Sequence, residues 1–128
     1  MLMKDNAASP PEGVLDYPAL AQEMGALLRD HKGADVAVLD LRELNAWTDF
    51  FVIATITSHT HVQGLLRHIK EYAQERGLTI FRSRRKTLPE DEWRSVDMGG
   101  VVIHLMTEKS RSFYELERLW SSAPQSRF

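Results

Sequence analysis

Asp40, Asp49 and Asp97 fall in or at the ends of segments rich in Val, Ile and Phe, so a mixed sheet that gathered them would hold magnesium for phosphoryl or nucleotidyl transfer. That is the best enzymatic reading the residues allow. Against it, the chain has no Asp-x-Asp pair, P-loop or Gly-x-Gly-x-x-Gly stretch, so nothing cradles a phosphate. A strand-end aspartate more often caps a loop or pairs with arginine. His61 and His68, seven apart, share a helix face with His59 close by, but the i, i+4 pairs of helical metal sites are missing and no carboxylate joins them. Ordinary surface histidines near a helix start are expected. No Gly-x-Ser-x-Gly elbow accompanies the serines. Cysteine is absent, which removes thiolate nucleophiles, thiolate metal ligands and disulfides together. The expectation is no catalytic residue, no metal and no cofactor.

What remains is suited to recognition. Arg82, Arg84, Arg85 and Lys86 place four cations in five residues, a run that fits RNA phosphates or simply blunts an exposed sheet edge. Trp47 and Trp93 both stand among polar residues, and tryptophan serves as an interface anchor about as readily as a core residue at a sheet margin. His104 lies mid-strand among apolar neighbours, either as a half-buried histidine bonded to backbone or as an interface residue beside Trp93. With Val96 and Met98 these side chains form a candidate mixed apolar patch.

The elements that position them follow from local pattern. The 128 residues, 43% hydrophobic and 27% charged, suffice for one folded domain. A net charge of −2 excludes nucleic-acid binding through overall attraction, so any RNA contact needs a local patch. The opening residues lack the apolar core of a signal peptide and no run is long enough to span a bilayer, so a cytoplasmic address without membrane contact is expected. Residues 1–15 have no apolar period and are expected to be a flexible tail, 16–122 the folded domain, and 123–128 a short C-terminal tail.

Asp16 caps a helix from near Pro18 to Gly33, with Leu20, Met24, Leu27 and Leu28 on one face. Residues 36–41 and 50–56 are buried strands joined by a polar loop that carries Trp47. Ser58 or Thr60 caps a second helix reaching about Arg76, with Val62, Leu65, Leu66, Ile69, Tyr72 and Ala73 at helical spacing. Residues 78–82 read as a short strand, Pro89 marks a loop, and 93–98 and 101–106 make a hairpin through Gly99-Gly100. A final helix sets Phe113, Leu116, Glu117 and Trp120 along one side. This order predicts an α/β (α+β) fold, one mixed sheet of about five strands covered by helices.

Four stretches, in this order, resemble the ribosomal silencing factor family, also called Iojap-like. They are Val38-Leu39-Asp40-Leu41; Thr48 to Thr55 with Thr57-Ser58 and His61-Val62; Trp93-x-x-x-Asp97-x-Gly99-x-Val101-Val102-x-His104; and Tyr114-Glu115-Leu116-Glu117-x-Leu119-Trp120. The resemblance spans roughly residues 16–122. It implies a nucleotidyltransferase-like topology without the catalytic carboxylate pair, and a translational repressor that is not an enzyme. The implied partner is ribosomal protein L fourteen of the large ribosomal subunit, at the face where the small subunit joins. Occupying that face sterically blocks subunit association and represses translation under nutrient limitation.

Carried over by position, the docking face comprises Trp93, Val96, Asp97, Met98, His104, Tyr114 and Glu117, with Arg82, Arg84, Arg85 and Lys86 as an accessory ribosomal RNA contact. Trp93 as an anchor implies that its truncation weakens binding by about 2 kcal/mol. An apolar patch left uncovered also implies a homodimer of the free protein. The rival reading is a divergent magnesium-dependent nucleotidyltransferase-like enzyme built on Asp40, Asp49 and Asp97. Two positions depart from the family pattern. Arg84-Arg85-Lys86-Thr87 stand where a Glu-Gly pair commonly precedes the Trp, and Gly100 stands where Asp is common.

Overall fold

Runs of Val, Ile and Phe with no polar alternation must be covered on both sides, and they become the middle of the sheet. In the computed structural model, residues 16–44, 46–85 and 92–128 are described, with 82–85 described by their backbone. The elements run α1 (Tyr17–Asp30), β1 (Ala34–Asp40), β2 (Phe50–Ile56), α2 (His59–Glu75), β3 (Arg82–Arg85), β4 (Trp93–Asp97), β5 (Val101–Thr107), α3 (Glu108–Tyr114), α4 (Leu116–Leu119) and β6 (Gln125–Arg127). Among the described residues six strands form one sheet in the order β3-β4-β5-β2-β1-β6. The central β2 and β5 pair in parallel and every other pair is antiparallel, so the sheet is mixed. No described helix is long and apolar enough to cross a membrane.

Helices α1 and α2 cover one face. Asp16 accepts the Ala19 N–H at 3.1 Å and Ser58 accepts the His61 N–H at 3.1 Å, satisfying orphan donors at both helix starts. Leu20, Met24 and Leu28 of α1, with Val62, Leu65, Leu66, Ile69 and Ala73 of α2, pack on Val38, Phe50, Val52, Ile103, Leu105 and Val96 of the sheet. Each fully buried aliphatic side chain of this kind contributes about 1.5–3 kcal/mol. The alternate strand residues Ala37, Leu39, Phe51, Ile53, Trp93, Val102 and Met106 point to the second face, where Leu44, Ala46, Leu116, Trp120 and Ala123 pack against them.

Three expectations are corrected. The short strand expected at 78–82 lies instead at Arg82–Arg85. Leu78 N–H bonds Ala73 O at 2.8 Å, capping the end of α2, so the chain reaches the sheet edge only where Phe81 N–H meets Asp97 O at 2.7 Å. Residues 123–128, expected as a tail, supply a sixth strand that pairs Gln125, Ser126 and Arg127 with Leu39, Val38 and Ala37. Those three residues are exposed and carry no apolar period; the free backbone edge of β1 recruits them. The single final helix is two, because Glu115 adopts a left-handed conformation (φ 49°, ψ 52°) that ends α3 and starts α4.

The β4–β5 hairpin is closed by a side chain of its own and packed against α1. Asp97 Oδ1 accepts the Gly99 N–H at 2.8 Å, and Gly99 turns with φ +94°. A Cβ at Gly100 would lie 2.4 Å from Cδ2 and 2.6 Å from Cγ of Tyr17, whose ring rests on that glycine. Gly100→Asp is therefore expected to cost about 1–3 kcal/mol by overpacking, read as a lowered Tm. An unchanged Tm would show that Tyr17 swings aside freely.

Candidate docking face

The three aspartates are not gathered. Asp40 is bound by the Arg42 guanidinium, Nε to Oδ1 at 2.9 Å and Nη2 to Oδ2 at 2.7 Å, and this hydrogen bonding holds its carboxyl below the usual range. Asp97 closes the hairpin, and the Asp49 N–H bonds Gly100 O at 3.1 Å. Asp40 and Asp97 sit on strands three steps apart in the sheet, which at the normal spacing is about 14 Å, and alternation puts them on opposite faces. Among the described residues no group of three or more His, Asp or Glu side chains is placed to hold a metal ion. The magnesium-centred rival therefore lacks its carboxylate cluster.

His61 and His68 serve as local ties. His61 Nδ1 accepts the Thr57 N–H at 3.3 Å, which leaves Nε2–H to donate to His31 O at 3.2 Å. His68 stacks on His31 with ring centroids 3.6 Å apart and lies 3.8 Å from Glu71. His59 is exposed at the start of α2.

The seven residues carried over as a docking face divide between the two sides of the sheet. Val96 and Met98 are buried in the helix-covered core, 1% exposed each, so they do not join the others at a surface. Trp93, Asp97 and His104 belong to the second face, and Tyr114 and Glu117 border it from α3 and α4. The period of two within β4 turns 93 and 97 to one face and 96 to the other, so the strand does not present them as one patch.

Trp93 is 7% exposed and its Nε1–H donates to His104 Nδ1 at 3.1 Å, placing the proton of a neutral His104 ring on Nε2. From this pair an aromatic chain runs both ways. Tyr114 lies 4.8 Å from Trp93 and Phe113 4.8 Å from Tyr114; on the other side the Phe51 edge meets His104 at 4.5 Å, with Trp47 at 5.9 Å and Trp120 at 6.2 Å beyond it. Each such pair contributes about 0.5–1.5 kcal/mol beyond its buried area. The rim of this chain is open to solvent: Trp47 is 70%, Phe113 75%, Leu119 71% and Tyr114 38% exposed. A groove of about 740 Å³ among the described residues runs beside α3, lined by Glu92, Lys109, Phe113 and Tyr114 among others.

Glu117 is engaged within the molecule. Arg111 grips both of its oxygens at 2.9 Å, Arg127 Nη1 approaches Oε2 at 2.8 Å, and Arg111 Nη1 also donates to Thr55 Oγ1 at 2.9 Å. The Arg111 hydrogen bonds hold the Glu117 carboxyl below the usual carboxylate range, against the opposing effect of burial. Arg111, Thr55, Phe51 and Leu119 are not among the docking-face residues expected from the sequence. Nothing in a helical stripe singles out Leu119 once the helix is broken, and the Arg111–Glu117 spacing of six is not a helical contact.

Arg82, Arg84 and Arg85 form the edge strand β3, paired with Asp97, Ser95 and Arg94. Lys86 lies outside the described residues.

Comparison with known proteins gives a consistent result. The family model described as ribosomal silencing factor during starvation matches residues 14–128. The ribosomal silencing factor of Treponema pallidum is 36% identical over 100 residues, covering 78% of this chain and 88% of that protein. Its counterpart in Bacillus subtilis is 35% identical over 110 residues, covering 86% and 92%. A crystal structure of a Chromobacterium violaceum protein superposes with a TM-score of 0.74 at 29% identity, covering 84% of this chain and 88% of that one.

Proposed function

From the premise that the chain belongs to the ribosomal silencing factor family, whose members are non-catalytic, ribosome-binding regulators of translation, we propose that its aromatic face docks on the large ribosomal subunit. The contact is with ribosomal protein L fourteen; it sterically blocks association with the small subunit and represses translation under nutrient limitation in the cytoplasm. The nucleotidyltransferase-like topology that the resemblance implies is retained only as a scaffold.

One observation carries this reading. Trp47, Phe113, Tyr114 and Leu119 stand exposed around a sheet face that two helices of seven and four residues cover. Exposed aromatic side chains grouped around a half-covered face mark a partner surface. In this reading Phe113 and Tyr114 touch the partner. Trp93 and His104 support them from below, and Asp97 shapes the hairpin at the margin. Val96 and Met98 serve the core. Arg82, Arg84 and Arg85 of β3, with Lys86, make an accessory contact with ribosomal RNA. In the free protein the same apolar rim is covered by a second copy.

Sedimentation with separated ribosomal subunits tests it. The wild-type chain is expected to comigrate with large subunits and to keep added small subunits from joining. Phe113→Ala combined with Tyr114→Ala, both at exposed positions, is expected to stay folded and to weaken binding by about 2 kcal/mol, roughly thirtyfold. A wild-type chain that stays at the top of the gradient defeats the assignment. Equal binding by the double variant moves the contact elsewhere on the surface.

A further inference from the structure

Helices α3 and α4 are too short to hold an attitude by themselves, and Glu115 between them takes a conformation that disfavours every residue but glycine and a few small polar ones. Their placement has to come from elsewhere. Arg111, on the last turn of α3, closes the kink by its two-pronged grip on Glu117 of α4 and anchors it to the sheet through Thr55 of β2. The other side of Glu117 is held by Arg127, which reaches it from β6. That strand is exposed at all three positions, so its residues add little to the core. Its register with β1 sets Arg127 opposite Ala37, while Phe128 lays its ring on Gly25 of α1.

We propose that Arg127 and Arg111 are positioning residues that act through Glu117, holding α3 in the attitude that presents Phe113 and Tyr114 for docking. The inference rests on the docking reading above. It gives β6 a role in that function: the strand delivers one cation to the carboxylate on which the α3–α4 kink closes. Arg127 need not touch the partner. Without it, Glu117 is shared between Arg111 and water, the kink loosens, and the Tyr114 ring loses its seat against Trp93.

A double-mutant cycle on the full chain tests this, with affinity for purified large subunits as the readout and melting curves as the control for folding. Arg127→Ala, at an exposed position, is expected to weaken binding about five- to tenfold, and Glu117→Gln at least as much. The double variant should bind no worse than Glu117→Gln alone, and Arg127→Lys should restore most of the affinity. Both single variants should also lose near-ultraviolet circular dichroism from the Trp93–Tyr114 pair. Should Glu117→Gln melt below the assay temperature, Arg111→Lys replaces it in the cycle, since lysine keeps the charge without the fork.

Wild-type affinity in Arg127→Ala overturns the proposal, and so do additive losses in the cycle, which would mean that Arg127 acts independently of Glu117. Failure of the wild-type chain to bind large subunits removes the docking reading and this inference with it. That outcome is visible in the wild-type lane alone, whereas failure of the inference appears only among the variants.

Discussion

Trp93→Ala is expected to lower the free energy of unfolding by about 3–5 kcal/mol, the range for emptying a buried aromatic site. The indole is 7% exposed, lies opposite Met106 in the second-face core, and meets Tyr114 at 4.8 Å. The substitution also removes the donor that His104 Nδ1 accepts at 3.1 Å. Trp93→Phe separates the two effects: most of the bulk stays while the N–H is lost, and a cost of about 1–2 kcal/mol is expected. Denaturant unfolding of both variants measures this. A loss below about 1 kcal/mol for the alanine variant would show that the indole is not seated in the core. Truncating Trp93 perturbs the platform on which the face is built, so lost affinity in that variant reports stability as much as contact.

Arg111→Ala is expected to cost about 2–3 kcal/mol, because it strips a partly buried carboxylate of its two-pronged partner and Thr55 of its guanidinium contact. Arg127 remains beside Glu117, which keeps the loss below that of a fully orphaned buried charge. A pH dependence accompanies it. The Glu117 pKa is lowered in the folded protein, first by the Arg111 hydrogen bonds, from an ordinary value of 4.5. The unfolded chain therefore binds the proton more readily. The carboxylate's stabilising contribution is complete above the unfolded value and disappears as pH falls through the lower folded one. Wild-type stability should decline with acid in that window, and Arg111→Ala should decline less steeply there. Asp40, lowered by Arg42, titrates in the same direction, but that pair is more exposed and screened. Parallel wild-type and Arg111→Ala curves of stability against pH would show that the Arg111 grip is not formed in solution.

Both effects belong to features that are invisible along the chain, and the contrast with the legible ones is physical. Helices α1 and α2 are written locally: Asp16 and Ser58 cap them, and Leu20, Met24 and Leu28 or Val62, Leu65, Leu66 and Ile69 repeat at helical spacing. Strands β1, β2, β4 and β5 are equally local in runs such as Phe50 to Ile56 and Val101 to Met106. Four motifs in fixed order sufficed to suggest the family to which the chain belongs, because a family pattern is a property of order and spacing alone.

Neither pairing nor facing is local. Strand β6 has no apolar residue in its three positions and exists because β1 offers an unpaired edge, which no sequence window around Gln125 reveals. Asp40 and Asp97 look equivalent as strand-end aspartates until the strand order puts two strands between theirs and alternation turns them to opposite faces. Arg111, Glu117 and Arg127 meet only because Glu115 bends the chain and β6 returns along β1. The sequence by itself determined the main helices and strands and, through the order of its motifs, the family. The tertiary structure decided which side chains share a surface, because strand order, sheet face and the left-handed kink are set by contacts between segments far apart in the chain.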